Sequence, residues 1–105
     1  MDSSSKFYIQ MSGVPGSGKS TTSLCLAKRI NAVVIDHDTI RSCILDEDIH
    51  FAQAAKLAYS MTWKLADDFA NQGHSIIVDS PCNYREVLDN GTRIAEKHGL
   101  VYRYI

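Results

Sequence analysis

The sequence carries almost no net charge, no cluster of cysteines or histidines and no long apolar run, and each absence closes a class of function. Lys and Arg number 11 against 12 Asp and Glu, a formal net charge of −1. That balance exerts no global pull on nucleic acid or an acidic membrane, so long nucleic acid is not an expected partner and any anion site must be local. Cys25, Cys43 and Cys82 are far apart, odd in number and without metal-ligand spacing, and His37, His50, His74 and His98 are equally scattered. No zinc site is expected, and the thiols read as reduced, which fits the cytoplasm. No apolar stretch approaches the roughly 20 residues that span a bilayer. Met1-Asp2-Ser3-Ser4-Ser5 lacks the basic region and apolar run of a signal peptide. Neither a membrane partner nor export is therefore expected. No repeat, linker or low-complexity segment interrupts the 105 residues, so residues 1–105 read as one domain. A hydrophobic content of 45% is ordinary for one modest core.

Strand and helix patterns alternate along the chain. Lys6 to Ser12 is a short aromatic and β-branched run ended by Gly13, the pattern of a strand. Lys19 to Ile30 has no Gly or Pro and places Leu26, Ala27 and Ile30 on one helical face, with Asn31 able to stop it. Ala32-Val33-Val34-Ile35, closed by Asp36, reads as a buried parallel strand. A short helix over 38–45 with Asp38 as its N-cap is expected next. Phe51 to Gln72 is the longest helical segment, with Ala54, Ala58, Met61, Leu65 and Phe69 as its core stripe and Gly73 at its end. Ser75-Ile76-Ile77-Val78, closed by Asp79, is a third strand. Tyr84 to His98 is a helix whose centre Gly91 weakens by about 1 kcal/mol relative to Ala. Leu100 to Ile105 is a fourth strand. This order predicts an α/β fold, a parallel sheet with helices on both faces. The chain ends on a strand with no helix to follow it, and that ending reads as a cut through a larger domain. Strand 100–105 is then expected as an unpaired edge with Val101, Tyr102, Tyr104 and Ile105 partly uncovered, a surface for self-association.

The most specific feature is Gly13-Val14-Pro15-Gly16-Ser17-Gly18-Lys19-Ser20, a full G-x-x-x-x-G-K-[ST] pattern, or Walker A. Glycines let the backbone curl around an anion without β-carbon clashes, so that successive N–H groups point inward as a nest. The helix opening near Lys19 adds its free N–H groups and positive dipole end. Lys19 reaches the β- and γ-phosphates, and the Ser20 hydroxyl takes one magnesium position. The pattern follows a predicted strand and opens a predicted helix, as its mechanics require.

Acidic residues close the neighbouring strands. Asp79, after Ile76-Ile77-Val78, reads either as the second magnesium residue or as a cap for the turn at Ser80-Pro81. Ile35-Asp36-His37-Asp38-Thr39-Ile40-Arg41 falls at the carboxyl end of the second strand, where open α/β sheets bind ligands. Asp38 and Arg41 share a helix face. The carboxylate reads as a base for an acceptor hydroxyl and the guanidinium as a fork for an anionic group, or the two form a local pair on a solvated face. Asp36 is the reserve candidate for the metal shell. A GTPase reading is poor, because no Asn-Lys-x-Asp motif occurs and Asp79-Ser80-Pro81-Cys82 lacks the Asp-x-x-Gly glycine. Tyr84 and Arg85 read as a helix start or as cleft lining, and Cys82 as inert.

Phe7 to Thr21, Val34 to Arg41 and Ile76 to Arg85 together resemble the small P-loop kinases, in the group of polynucleotide 5′-kinases, zeta toxins and predicted ATP kinases. The resemblance covers nearly the whole chain. It implies a three-layer P-loop NTPase fold with five strands in the order 2-3-1-4-5, of which this chain would hold four, 2-3-1-4. It implies ATP and Mg2+ as ligands, held by Gly13, Val14, Pro15, Gly16, Ser17, Gly18, Lys19, Ser20 and Thr21. Asp38 would be the base for a hydroxyl-bearing substrate, with Arg41 on substrate phosphate. A lid with clamping arginines would follow the fourth strand, and its lack would make the chain an incomplete kinase that binds nucleotide with little or no turnover.

Overall fold

The structure is a computed structural model that describes residues 5–11, 19–80 and 85–105, with α1 side chains from Thr22 onward. Its elements are β1 (Phe7–Met11), α1 (Lys19–Ile30), β2 (Ala32–Asp36), α2 (His37–Leu45), α3 (Phe51–Asn71), β3 (Ser75–Asp79), α4 (Arg85–His98) and β4 (Val101–Tyr104). Their ends fall where local chemistry puts them. Asn31 leaves α1 at φ 56°, and Gly73 and Gly99 follow α3 and α4 at φ 91° and 70°, so each helix stops on a residue that tolerates the left-handed region.

Two expectations about helices are corrected. The N-cap of α2 is Asp36, not Asp38: Asp36 Oδ1 accepts from the N–H groups of Asp38 (2.9 Å) and Thr39 (3.3 Å). The last carboxylate of β2 thus starts the helix at once, with no intervening loop. In α3 the buried line is Ala54, Ala58, Thr62, Ala66 and Ala70, whereas Met61 and Leu65 are 45% and 37% exposed. Small side chains every fourth residue let α3 lie close to its neighbours, and such a line turns about 40° around the helix at each step. The seam therefore passes from α2, against which α3 packs extensively, to the sheet. Thr62 satisfies its buried hydroxyl by donating to the Ala58 carbonyl at 2.8 Å.

The sheet is parallel throughout, in the order β2-β3-β1-β4, as the resemblance implies. β3 lies inside the sheet and is buried at every residue. Alternate side chains divide two cores. Tyr8, Ile35, Ile76 and Val78 meet Ala66, Ala70, Ile94 and Ala95 of α3 and α4, while Ile9, Met11 and Ile77 meet Ala27 of α1. β4 forms one edge, with Tyr104 48% and Ile105 57% exposed.

Gly91 is a packing residue. A Cβ there would stand 2.9 Å from Tyr102 Cε1 and 3.1 Å from Tyr8 Cε1, two rings stacked at 5.6 Å between centroids. Tyr8 is fully buried and has no room to retreat, and burial pushes its phenol pKa up. Overpacking by a methyl costs about 2 kcal/mol, against about 1 kcal/mol of helix propensity gained. Gly91→Ala is therefore expected to destabilise by about 1 kcal/mol and Gly91→Val by about 3 kcal/mol in urea titrations. A stabilised alanine variant would show that the rings yield.

At the other end of α4, Lys97 Nζ and His98 Nε2 lie 3.1 and 2.8 Å from Asp67 Oδ1, joining α4 to α3. The bonds from His98 and then Lys97 hold the Asp67 carboxyl below the usual carboxylate range. A depressed carboxyl stabilises the fold above its unfolded pKa of about 4, and that stabilisation is lost as pH falls through the lower folded value. Asp67→Asn should flatten this part of the acid limb in pH-dependent urea titrations. The carboxylate is partly solvated, so the effect is expected to stay under about 1 kcal/mol. An unchanged acid limb would remove Asp67 from the account.

Candidate functional site

In a parallel sheet with helical crossovers the carboxyl ends of all strands share one edge. Register places Met11, the last residue of β1, beside Asp79, the last of β3, and Asp79 beside Asp36, the last of β2. Neighbouring strands lie about 4.8 Å apart, so these three positions form a row about 10 Å long. Met11 leads into the segment that ends where α1 opens at Lys19. Of the sequence-predicted phosphate loop, Gly13, Val14, Pro15, Gly16, Ser17 and Gly18 lie outside the described residues. So do the side chains of Lys19, Ser20 and Thr21, whose backbone forms the first turn of α1. The described flanks are a buried strand ending at the carboxyl edge and a helix N-terminus starting from it.

Asp79 is only 3% exposed, and its Oδ2 faces the buried Ser23 hydroxyl at 3.3 Å. Ser23 sits four residues into α1 and also lies 2.8 Å from Met11 Sδ, so its single proton has two acceptors. This contact holds Asp79 against the first turns of α1, where the helix dipole favours a negative charge. Sequence reading passed over Ser23, whose only signal is its spacing of three from Ser20. It also passed over Gln10. Fully buried, Gln10 donates from Nε2 to the Ser80 hydroxyl at 3.0 Å and to the Met11 carbonyl at 3.2 Å. Ser80 N–H donates to the same carbonyl, also at 3.2 Å. The ends of β1 and β3 are thereby tied together where both chains leave the sheet. A glutamine inside an otherwise apolar strand was the available sign.

On β2 and α2 the acidic residues divide their work. Asp36 Oδ1 is engaged in capping α2. Asp38, relieved of capping, accepts from Arg41 Nη2 at 3.1 Å on a partly exposed face. The Arg41 guanidinium also stands 5.6 Å over the Phe51 ring at the start of α3. The expected shared face is thus occupied by an ion pair. Of the other residues weighed, Cys82 and Tyr84 lie outside the described residues, and Arg85 is exposed with a loose 3.8 Å contact to Asp89. Cys25 and Cys43 are exposed free thiols. No helix of the described residues is long and apolar enough to cross a membrane. Next to this edge, a groove of about 680 Å3 runs between α3 and the start of α4.

A family model described as an AAA domain matches residues 9–105. Comparison with curated proteins finds no match. Among solved structures, the chain superposes on a candidate kinase from Chloroflexus aurantiacus with a TM-score of 0.80 at 17% identity, covering 96% of this chain and 58% of that one. The APS kinase CysC of Mycobacterium tuberculosis, in complex with AMPPNP and APS, gives 0.71 at 21% identity, over 95% of this chain and 61% of that one. A structure from the PezAT chromosomal toxin–antitoxin system of Streptococcus pneumoniae gives 0.74 at 19% identity, over 95% of this chain and 46% of that one. At these identities the likeness is one of fold. The chain spans about half to three-fifths of the length of these three proteins. With the family model covering almost all of its sequence, the chain belongs to the AAA domain family, and its fold is that of small P-loop kinases.

Proposed function

We propose that the chain binds ATP with Mg2+ at the phosphate loop and belongs to a phosphotransferase that moves the γ-phosphoryl group to a hydroxyl. The observation that carries this reading is the position of Asp79. It is buried, in register with the strand that leads into Gly13-Val14-Pro15-Gly16-Ser17-Gly18-Lys19-Ser20, and bonded to Ser23 of the helix that this motif opens. A buried carboxylate beside a hydroxyl oxygen supplies hard donors of the kind a divalent cation takes. Asp79 and the Ser20 hydroxyl would hold Mg2+, with Asp36 in reserve through its second oxygen. Bound there, the ion would supply positive charge against the phosphates.

Lys19 and the loop N–H groups grip the β- and γ-phosphates. Asp38 takes the proton of the acceptor hydroxyl as its oxygen bonds to the γ-phosphorus. The bond to the β-phosphate oxygen breaks, and ADP leaves with that electron pair. Arg41 holds an anionic group of the acceptor once it leaves Asp38. Replacing Asp38 with alanine is expected to slow transfer by about 10²–10⁴-fold while ATP binding stays within about twofold. Radiolabel transfer and isothermal titration measure the two. Retained transfer would remove Asp38 from its role.

A second reading is nucleotide binding without transfer. It is favoured by the Asp38–Arg41 pair at 3.1 Å, a local ion pair on a partly exposed face that accounts for both side chains without an acceptor. ATP-dependent phosphorylation of any acceptor by this chain excludes it.

A further inference from the structure

A hydroxyl inside a helix ordinarily returns its proton to the carbonyl one turn back. Thr62 and Thr92 do so, donating to the carbonyls of Ala58 and Leu88 at 2.8 Å each. Ser23 makes no such bond among the described residues. It is fully buried in α1, and its hydroxyl reaches across to the sheet instead. There it meets Met11 Sδ, at the end of β1, at 2.8 Å and Asp79 Oδ2, at the end of β3, at 3.3 Å. One proton faces two acceptors of unequal strength. A thioether sulfur accepts weakly, whereas an ionised carboxylate accepts strongly. Asp79 is only 3% exposed, and a buried charge is the group that most needs a donor. The proton therefore belongs with Asp79, and the Met11 sulfur is its competitor.

The backbone of Asp79 is set by other means. Its neighbours in register are Met11 on one side and Asp36 on the other. The next residue, Ser80, is held by Gln10 Nε2 at its hydroxyl and by its own N–H to the Met11 carbonyl. None of these bonds sets the plane of the carboxylate. The last torsion of an aspartate is broad and has no deep intrinsic well, so a partner must choose its value. The bond from Ser23 to Oδ2 limits that rotation. Lys19 and Ser20 lie one turn before Ser23 on α1. The same bond thus ties the carboxylate to the helix whose first turn carries Ser20, the residue proposed to share its cation. Alanine would suit a position that only packs α1 against the sheet.

We propose that Ser23 is a positioning residue for the metal carboxylate: its hydroxyl donates to Asp79 Oδ2 and holds the carboxylate in the orientation that a divalent cation requires. The assignment rests on the reading of ATP with magnesium above and adds the residue that orients its ligand. Outer partners of this kind contribute about tenfold or more to metal affinity.

Isothermal titration of the 105-residue chain with ATP, once in magnesium and once in EDTA, reads this role. Ser23→Ala, checked for retained circular dichroism, is expected to weaken binding about tenfold in magnesium and less than about twofold in EDTA. Met11→Leu removes the competing acceptor at nearly constant volume, so binding in magnesium should hold or rise, by up to about threefold. On an Asp79→Asn background, Ser23→Ala should cost less than about twofold, since the charged oxygen it positions is gone. Equal losses in magnesium and EDTA for Ser23→Ala would overturn the proposal and leave Ser23 a packing residue. A loss in Met11→Leu that matches the loss in Ser23→Ala would overturn it too, because the hydroxyl would then act through the sulfur. The same holds if the full loss persists beside Asp79→Asn. The parent chain tests the reading beneath. Parent binding that magnesium strengthens, with Ser23→Ala unaffected, sinks the positioning role alone. Parent binding that magnesium does not strengthen, or a folded parent that holds no ATP, sinks the metal reading and this role with it. Should Ser23→Ala not fold, Ser23→Cys takes its place. Its thiol is a weaker donor of similar size, with an expected loss of about threefold in magnesium, and no loss there would sink the proposal.

Discussion

Lys19→Ala is expected to weaken binding of ATP with magnesium by about 100-fold or more in isothermal titration of this chain, an effect of roughly 3 kcal/mol. The size follows from what the loop has to work with. Net charge is only −1, so no general positive field supplements the site. In the proposed site the anion would be held by loop N–H groups, the α1 dipole and one ammonium. Of these the ammonium alone carries a full charge, and its bonds to phosphate are charge-assisted on both sides. Removing it would leave only uncharged backbone donors, which discriminate poorly between a triphosphate and any smaller anion. Lys19→Arg tests shape as well as charge: a planar guanidinium keeps the charge but does not fit the space of a compact ammonium, so most of the affinity should still be lost. Unchanged affinity in Lys19→Ala would show that the nucleotide sits elsewhere. A folded parent chain that holds no ATP would overturn the nucleotide-binding reading.

The fold was legible where punctuation is strong and illegible where burial is carried by small side chains. Asn31, Gly73 and Gly99 all lie in the left-handed region, so helix ends read from residue type agreed with the structure to within a residue or two. The start of α2 did not, because Asp36 and Asp38 are both able caps, and only the abrupt passage from strand to helix selects the first. The stripe of α3 was misread because Met61 and Leu65 look like core residues. The close packing of α3 is made instead by alanines, whose burial leaves no strong hydrophobic signature. Gly91 looked like a flaw in a helix until two tyrosine rings were found against it. Asp79 stood out in the sequence because it closes an apolar run, and the structure buries it at the carboxyl edge of the sheet. Ser23 and Gln10 act through contacts between residues far apart in sequence, 56 and 70 positions in the bonds to Asp79 and Ser80, which no local pattern reports. The ring row of His37, Tyr59 and Trp63 joins two helices and was invisible for the same reason.

Asp79→Asn is expected to separate function from stability. The amide is nearly isosteric with the carboxylate, and its carbonyl oxygen can still accept from Ser23, so the local packing of α1 on β3 survives. What disappears is a negative charge in a position 3% exposed, where desolvation disfavours charge strongly. Loss of that cost offsets loss of the favourable field of the α1 N-terminus, and the urea midpoint should move by less than the equivalent of about 1 kcal/mol in either direction. Nucleotide affinity behaves differently. An amide oxygen is a poor substitute for a carboxylate toward a hard divalent cation. Affinity for ATP in magnesium should therefore fall about 10- to 100-fold, while affinity in the presence of EDTA, where no metal bridges protein and phosphate, stays near that of the parent. That difference between the two titrations is the signature of a metal residue. If instead affinity and stability fall together, and equally with and without magnesium, Asp79 serves only to hold α1 against the sheet. If affinity in magnesium is unchanged, the cation is held without Asp79, and Asp36, whose second oxygen is not used in capping, becomes the carboxylate to replace next.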